Sequence, residues 1–88
     1  MQIKLSERYY RALKKFVKNN KTNADNIKKA LKLFKENPKH PSLKLEKLKG
    51  SRVWTIRIDK GNRIFLFWID KSTALLIDIG KHDKYRRY

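Results

Sequence analysis

The 88-residue chain has no cysteine, one methionine, three glycines and two prolines. Without thiols it cannot form disulfides, cysteine nucleophiles, iron–sulfur clusters or cysteine-bound zinc sites. Two histidines, His40 and His82, are too few for a histidine-rich metal centre, and the acidic residues lack the spacing of a calcium loop. No cofactor and no metal is therefore expected. Glycine-rich phosphate loops, internal repeats and low-complexity tracts are all missing. No apolar run approaches the roughly 18 residues of a membrane span, and the opening MQIKLSERYY has no apolar signal core. The expected compartment is the cytoplasm, with no membrane partner.

Negative charge is also scarce. Eight Asp and Glu face 24 Lys and Arg, a net charge of +16. Residues 1–40 hold 12 basic and 3 acidic residues and residues 41–88 hold 12 and 5, so neither half is a detachable basic tail. Self-repulsion at this density costs stability, and a polyanion or an acidic protein partner is its natural physical explanation. It weighs against a free-standing enzyme acting on a small neutral metabolite. With 40% hydrophobic residues the chain can build one thin core, and residues 1–88 read as a single domain.

The hydrophobic spacing gives the order of elements. Residues 2–5 alternate and predict a short strand, closed by Ser6 as a helix N-cap. Tyr9, Tyr10, Leu13, Phe16 and Val17 recur at helical spacing, predicting an amphipathic helix from Glu7 to about Lys18. After a turn at residues 19–21, a second helix is expected from Thr22 or Asn23, with Asp25 near its first turn and Ile27, Ala30, Leu31 and Phe34 as its buried stripe. Asn37 and Pro38 stop it. The period then changes to two. VWTIRID (53–59) and RIFLFWI (63–69) flank Lys60-Gly61-Asn62, a hairpin connection, and TALLIDI (73–79) follows a turn at residues 70–72, with Gly80 ending it. The expected fold class is α+β: two N-terminal helices on one face of a small, mainly antiparallel twisted sheet, β-α-α followed by three or four strands.

Alternation separates the sheet faces. Trp54, Ile56 and Ile58 form one apolar set, expected against the helices with Ile64, Leu66, Trp68, Leu75, Ile77 and Ile79. The other face then gathers Arg57, Asp59, Arg63, Phe65 and Phe67, with Leu76 and Asp78 outside and His82 just past the last strand. Guanidiniums fork onto phosphate oxygens and flat rings stack on bases, a composition suited to single-stranded nucleic acid. From the residues alone, the two phenylalanines either stack on bases or pack beneath the C-terminal segment. The arginines either bind an anion or pair with Asp59.

The HPSLKLEKLKG segment, the run VWTIRIDKGNRIFLFW and the ending ALLIDIGKHDKYRRY, in this order after a β-α-α start, resemble the RelE/ParE superfamily of toxins from toxin–antitoxin systems. The resemblance is closer to the RelE-like mRNA interferase branch and covers almost the whole chain. It implies a ribosome-dependent, metal-independent endoribonuclease that leaves a 2′,3′-cyclic phosphate and a 5′-hydroxyl. By position it implies Arg57 and Arg63 at the scissile phosphate, His82 in proton transfer and Tyr88 as a contributing aromatic; Glu46 is an alternative base whose plain reading is a solvated carboxylate. Lys49, Phe65, Phe67, Lys81, Lys84, Arg86 and Arg87 are the expected RNA contacts. The implied partners are an acidic, partly helical antitoxin, the ribosome and mRNA. Two departures stand out. Many relatives continue into a C-terminal helix after the tyrosine, and the lysine expected beside Arg57 is Thr55. The rival readings are a ParE-like inhibitor of DNA gyrase and a catalytically weakened homologue that only binds antitoxin or RNA.

Overall fold

The computed structural model covers residues 1–88 in the order β1 (Gln2–Leu5), α1 (Glu7–Val17), α2 (Lys21–Glu36), β2 (Glu46–Lys47), β3 (Trp54–Arg57), β4 (Asn62–Asp70) and β5 (Thr73–Lys81). Short 3-10 segments lie at Pro41–Leu43 and His82–Arg87. The α+β architecture expected from the alternation is observed: five strands in the order β1-β5-β4-β3-β2, antiparallel except where β1 runs parallel to β5. The two helices carry the chain from β1 at one edge of the sheet to β2 at the other, and the strands that follow return across it, so the last of them, β5, lies beside β1 and runs parallel to it.

Local chemistry sets the helix ends. The Ser6 hydroxyl accepts the Tyr9 amide at 3.0 Å, satisfying one of the free donors at the start of α1. α2 begins earlier than the sequence reading had it, because Asn20 caps it by accepting the Asn23 amide at 2.9 Å. Asp25 consequently lies beyond the first turn, which holds no acidic residue. The Asn23 side chain turns back and donates to the Phe16 carbonyl at 2.8 Å, tying the two helices together at the loop. Asn19, at φ +53°, supplies the left-handed residue that reverses the chain.

The helices bury one sheet face. Tyr9, Phe34, Ile56, Ile64 and Leu66 are fully enclosed there, and the Phe34 and Trp68 rings meet at 5.7 Å. Trp54, Ile58 and Trp68 pack on this core while remaining partly exposed. The Tyr9 hydroxyl is enclosed without a protein partner, and burial pushes its pKa up to about 12.

β5 departs from the expected phase. Its register with β4 slips by one residue, Phe65 opposing Asp78 and Leu66 opposing Leu76, so Ile77 is the extra residue of a bulge. Leu76, expected outside, is fully buried in the helix-side core with Ile79. Leu75 and Ile77, expected in that core, instead join Val53, Phe65, Phe67, Leu48 and Tyr88 in a second cluster on the opposite face. A period of two holds only within an unbroken ladder, and one inserted residue exchanges the faces on either side of it. β5 also runs through Gly80 to Lys81 rather than ending before it.

Candidate functional site

The outer sheet face is built around the β3–β4 hairpin. Register sets Arg57 directly opposite Arg63, two like charges on neighbouring strands. Such a pair is destabilising by itself. The turn moderates it: the Arg57 Nε donates to the Asp59 carbonyl at 3.2 Å, and the Arg63 Nη1 donates to the same oxygen at 3.1 Å and to the Asn62 carbonyl at 3.0 Å. The Asp59 carboxylate does not pair with either arginine. Its Oδ1 accepts the Gly61 and Asn62 amides, each at 3.0 Å, and the Asn62 side-chain amide, which fixes the turn. Burial raises the Asp59 pKa, but these bonds and the Arg63 charge outweigh it and hold the carboxyl below its ordinary value. Desolvation first, then Arg57, depresses the Arg63 pKa, while Glu46 and Asp59 pull it back up.

Glu46 therefore belongs to this neighbourhood. It is exposed on β2, opposite Thr55, and its charge reaches Arg63 across the sheet. On the other side, Arg63 is paired with Gly80 of β5 and Asn62 with the exposed Lys81. The His82 amide then donates to the Gly61 carbonyl at 3.0 Å, which anchors His82 beside the hairpin. Its ring is exposed and meets Tyr85 at 5.5 Å.

Other expected contacts are placed differently. Phe65 is fully buried, its ring meeting Tyr88 at 5.4 Å, so it offers no face to a base; packing beneath the C-terminal segment is the reading that holds for it. Phe67 stays partly exposed on the same face. Lys49 lies in the turn between β2 and β3, where Gly50 takes φ +74°. That turn is at the end of β3 away from Arg57, so Lys49 is not gathered into the arginine site. The Lys84 ammonium is engaged with the Asp78 carboxylate at 3.1 Å and the Ile79 carbonyl at 3.1 Å. Arg86 is exposed, while Arg87 lines a groove toward α1 with Arg8, Arg11 and Lys15.

Asp78 is the polar residue that the sequence reading left without a role. It is 2% exposed, yet its Oδ1 accepts the Ile79 amide and Lys84, and its Oδ2 accepts the Tyr88 hydroxyl at 2.8 Å with Arg8 of α1 at 3.5 Å. Burial alone raises its pKa, but the Tyr88, Ile79 and Lys84 bonds outweigh burial and lower it. The signal was a lone carboxylate inside the apolar run TALLIDI. No three His, Asp or Glu side chains gather into a group that could hold a metal ion, and no helix is long and apolar enough to cross a membrane.

No family model matches the chain, and no curated protein matches it in sequence. Solved structures do match. YafQ from Escherichia coli superposes with a TM-score of 0.77 at 15% identity over 94% of both chains. A metal-bound toxin from Helicobacter pylori gives 0.76 at 24% identity, covering 96% of this chain and 97% of the other. YoeB of the YoeB–YefM complex from Staphylococcus aureus gives 0.72 at 25% identity, covering 93% and 97%. At the level of fold, the chain is similar to toxins across the RelE/ParE superfamily, with no one branch singled out.

Proposed function

We propose that the chain is the toxin of a type II toxin–antitoxin pair and that it cleaves mRNA on the ribosome without a metal ion. The observation that carries this reading is the Arg57–Arg63 pair. Two guanidiniums directly opposite each other on neighbouring strands are costly until an anion lies between them, and a phosphodiester supplies the anion. In-line displacement at phosphorus also needs a base and an acid on opposite sides. Glu46 on β2 and His82 after β5 flank the arginines in the strand order.

In the proposed step Glu46 takes the proton of the ribose 2′-hydroxyl. The 2′-oxygen bonds to phosphorus as the bond from phosphorus to the 5′-oxygen breaks, and His82 gives that oxygen a proton. A 2′,3′-cyclic phosphate and a 5′-hydroxyl result. Arg57 and Arg63 offset the charge that develops on the phosphoryl oxygens. Lys81, beside His82, contacts the strand, while Phe67 lies at the Lys49 end of the sheet, away from the arginine pair. An 88-residue chain has little surface with which to align a flexible RNA, so the ribosome is assigned that task. The charge of +16 favours an acidic, partly helical antitoxin as partner, and the S. aureus YoeB relative is solved in complex with YefM.

The test compares wild type, R63A and H82A in a reconstituted translation system with mapping of 5′ ends. Wild type should create new mRNA ends only with ribosomes present. R63A should cleave about 10²-fold or more slowly, and H82A roughly 10²–10⁴-fold more slowly. Arrest without new ends, together with inhibited gyrase supercoiling, would transfer the assignment to a gyrase inhibitor. No effect in either assay would leave a homologue that only binds antitoxin or RNA.

A further inference from the structure

The C-terminal 3-10 segment, His82–Arg87, is fastened to the sheet at two places. At its start the His82 amide bonds the Gly61 carbonyl of the hairpin. Further along, Lys84 and Tyr88 both bond Asp78, one to each carboxylate oxygen. The bulge at Ile77 makes the second attachment possible, because it leaves Asp78 opposite Phe65 on the outer face instead of continuing the alternation from Leu76. Two packing contacts follow from it. The Tyr88 ring lies on the buried Phe65, and the Lys84 stem crosses Gly80 so closely that a Cβ there would sit 2.9 Å from its Cδ and Cε. Gly80 is the partner of Arg63, so the stem of Lys84 runs directly beside the arginine site.

We infer that Asp78 is a positioning residue for the proposed cleavage: it holds the C-terminal segment, through Lys84 and Tyr88, so that His82 stays beside the arginine pair, and the Tyr88 hydroxyl acts through Asp78 rather than on the RNA. This rests on the reading of Arg57, Arg63 and His82 as the cleavage site. A hydroxyl that donates at 2.8 Å to a buried carboxylate, with its pKa raised to about 12 by burial and then by Asp78, is poorly placed to give its proton to a leaving oxygen. The titratable side chains facing Asp78 are Arg8, Arg11 and Lys15 of α1 and Lys84, Arg87 and the neutral Tyr88 of the C-terminal segment. All are cationic except the tyrosine, so the carboxylate is the one negative anchor among them.

The test uses Y88F, D78N and the double variant of the full chain. Y88F keeps the ring on Phe65 and removes only the hydroxyl, so folding is retained. Hydrogen exchange of the His82 amide should accelerate by about 3–10-fold in Y88F and at least as much in D78N, while the Ile64 amide in the core keeps its protection. In the ribosomal assay, Y88F should lower kcat by at most about 10-fold without raising KM, and adding it to D78N should cause little further loss, because both act through one contact. Exchange is measured without RNA, so it decides the fastening even if wild type cleaves nothing. Unchanged His82 protection in Y88F and D78N would overturn the inference. So would a 10²-fold or greater loss in Y88F that multiplies with that of D78N, which would make the tyrosine hydroxyl itself a catalytic group.

Discussion

Arg63→Gln separates the electrostatic cost of the site from its use. Arg57 and Arg63 donate to one carbonyl oxygen at 3.2 and 3.1 Å, so those two donor nitrogens are no more than about 6.3 Å apart. Unit charges at about 6 Å repel by roughly 3 kcal/mol at an effective dielectric of about 20 and by roughly 0.7 kcal/mol in bulk water. Both side chains are partly exposed, which moves the figure toward the lower limit, about 1 kcal/mol. Against that relief, the substitution loses the bonds to the Asp59 and Asn62 carbonyls, worth about 1.5–3 kcal/mol each for a buried charged donor and less at this partly exposed side chain, and the glutamine amide remakes some of them. The two effects nearly cancel, so R63Q should lie within about 1 kcal/mol of wild-type stability. Cleavage should nevertheless fall by about 10²-fold or more, because the transition-state charge loses a guanidinium. Urea unfolding followed by the fluorescence of Trp54 and Trp68 measures the first quantity, and single-turnover cleavage on ribosomes the second. Salt adds a check: any stability that R63Q gains should shrink as ionic strength rises and screens the repulsion. A loss above about 2 kcal/mol with cleavage retained would refute the argument and make Arg63 a structural residue.

Ile56→Ala removes three carbons from a fully buried position between the sheet and the helices and should cost roughly 2–4 kcal/mol by urea denaturation, a large share of what an 88-residue domain has. Because the folded state lowers the pKa of Asp78, its contribution to stability is complete above the unfolded carboxylate pKa of about 3.9 and is lost as pH falls through the folded value. D78N should therefore flatten the acid side of the stability-versus-pH curve relative to wild type, and two parallel curves would count against the Asp78 contacts. Affinity for an acidic antitoxin, measured by calorimetry, should fall with added salt; an affinity independent of salt would point to an apolar contact.

The helices and the hairpin were legible because their signals do not compete. Helical spacing in α1 and α2, Asn and Pro at the end of α2 and a glycine between two strand-forming runs each admit one local structure. β5 was not legible in this way. In TALLIDI, Ala74, Leu75, Leu76 and Ile77 are successive apolar residues, so either phase supplies a greasy face, and phase counted back from Ile79 disagrees with phase counted from Ala74. Only a bulge reconciles them. The near-continuous apolar run of RIFLFWI carried a further message, since a strand apolar on both faces is covered on both. Phe65 is buried for that reason, under Tyr88 and beside Val53 and Ile77.

Cations could not locate the site, because they are everywhere in this chain. Arg57, Arg63 and His82 stood out only through strand phase and resemblance, and Lys49, chosen in the same way, lies at the wrong end of β3. The eight carboxylates discriminate better. Glu7 sits in the first turn of α1 and Asp70 accepts the Ser72 amide at 2.8 Å, both local tasks. Three others bear on the outer face: the charge of Glu46 acts on Arg63, Asp59 shapes the turn whose carbonyl holds both arginines, and Asp78 holds the C-terminal segment. A carboxylate in a chain of net charge +16 forms no general counterweight. Asp25, Glu36 and Asp83 make no side-chain hydrogen bond or ion pair, whereas Glu46, Asp59 and Asp78, along β2, the hairpin and β5, each act on a particular cation or amide and so outline the face on which the arginine pair lies.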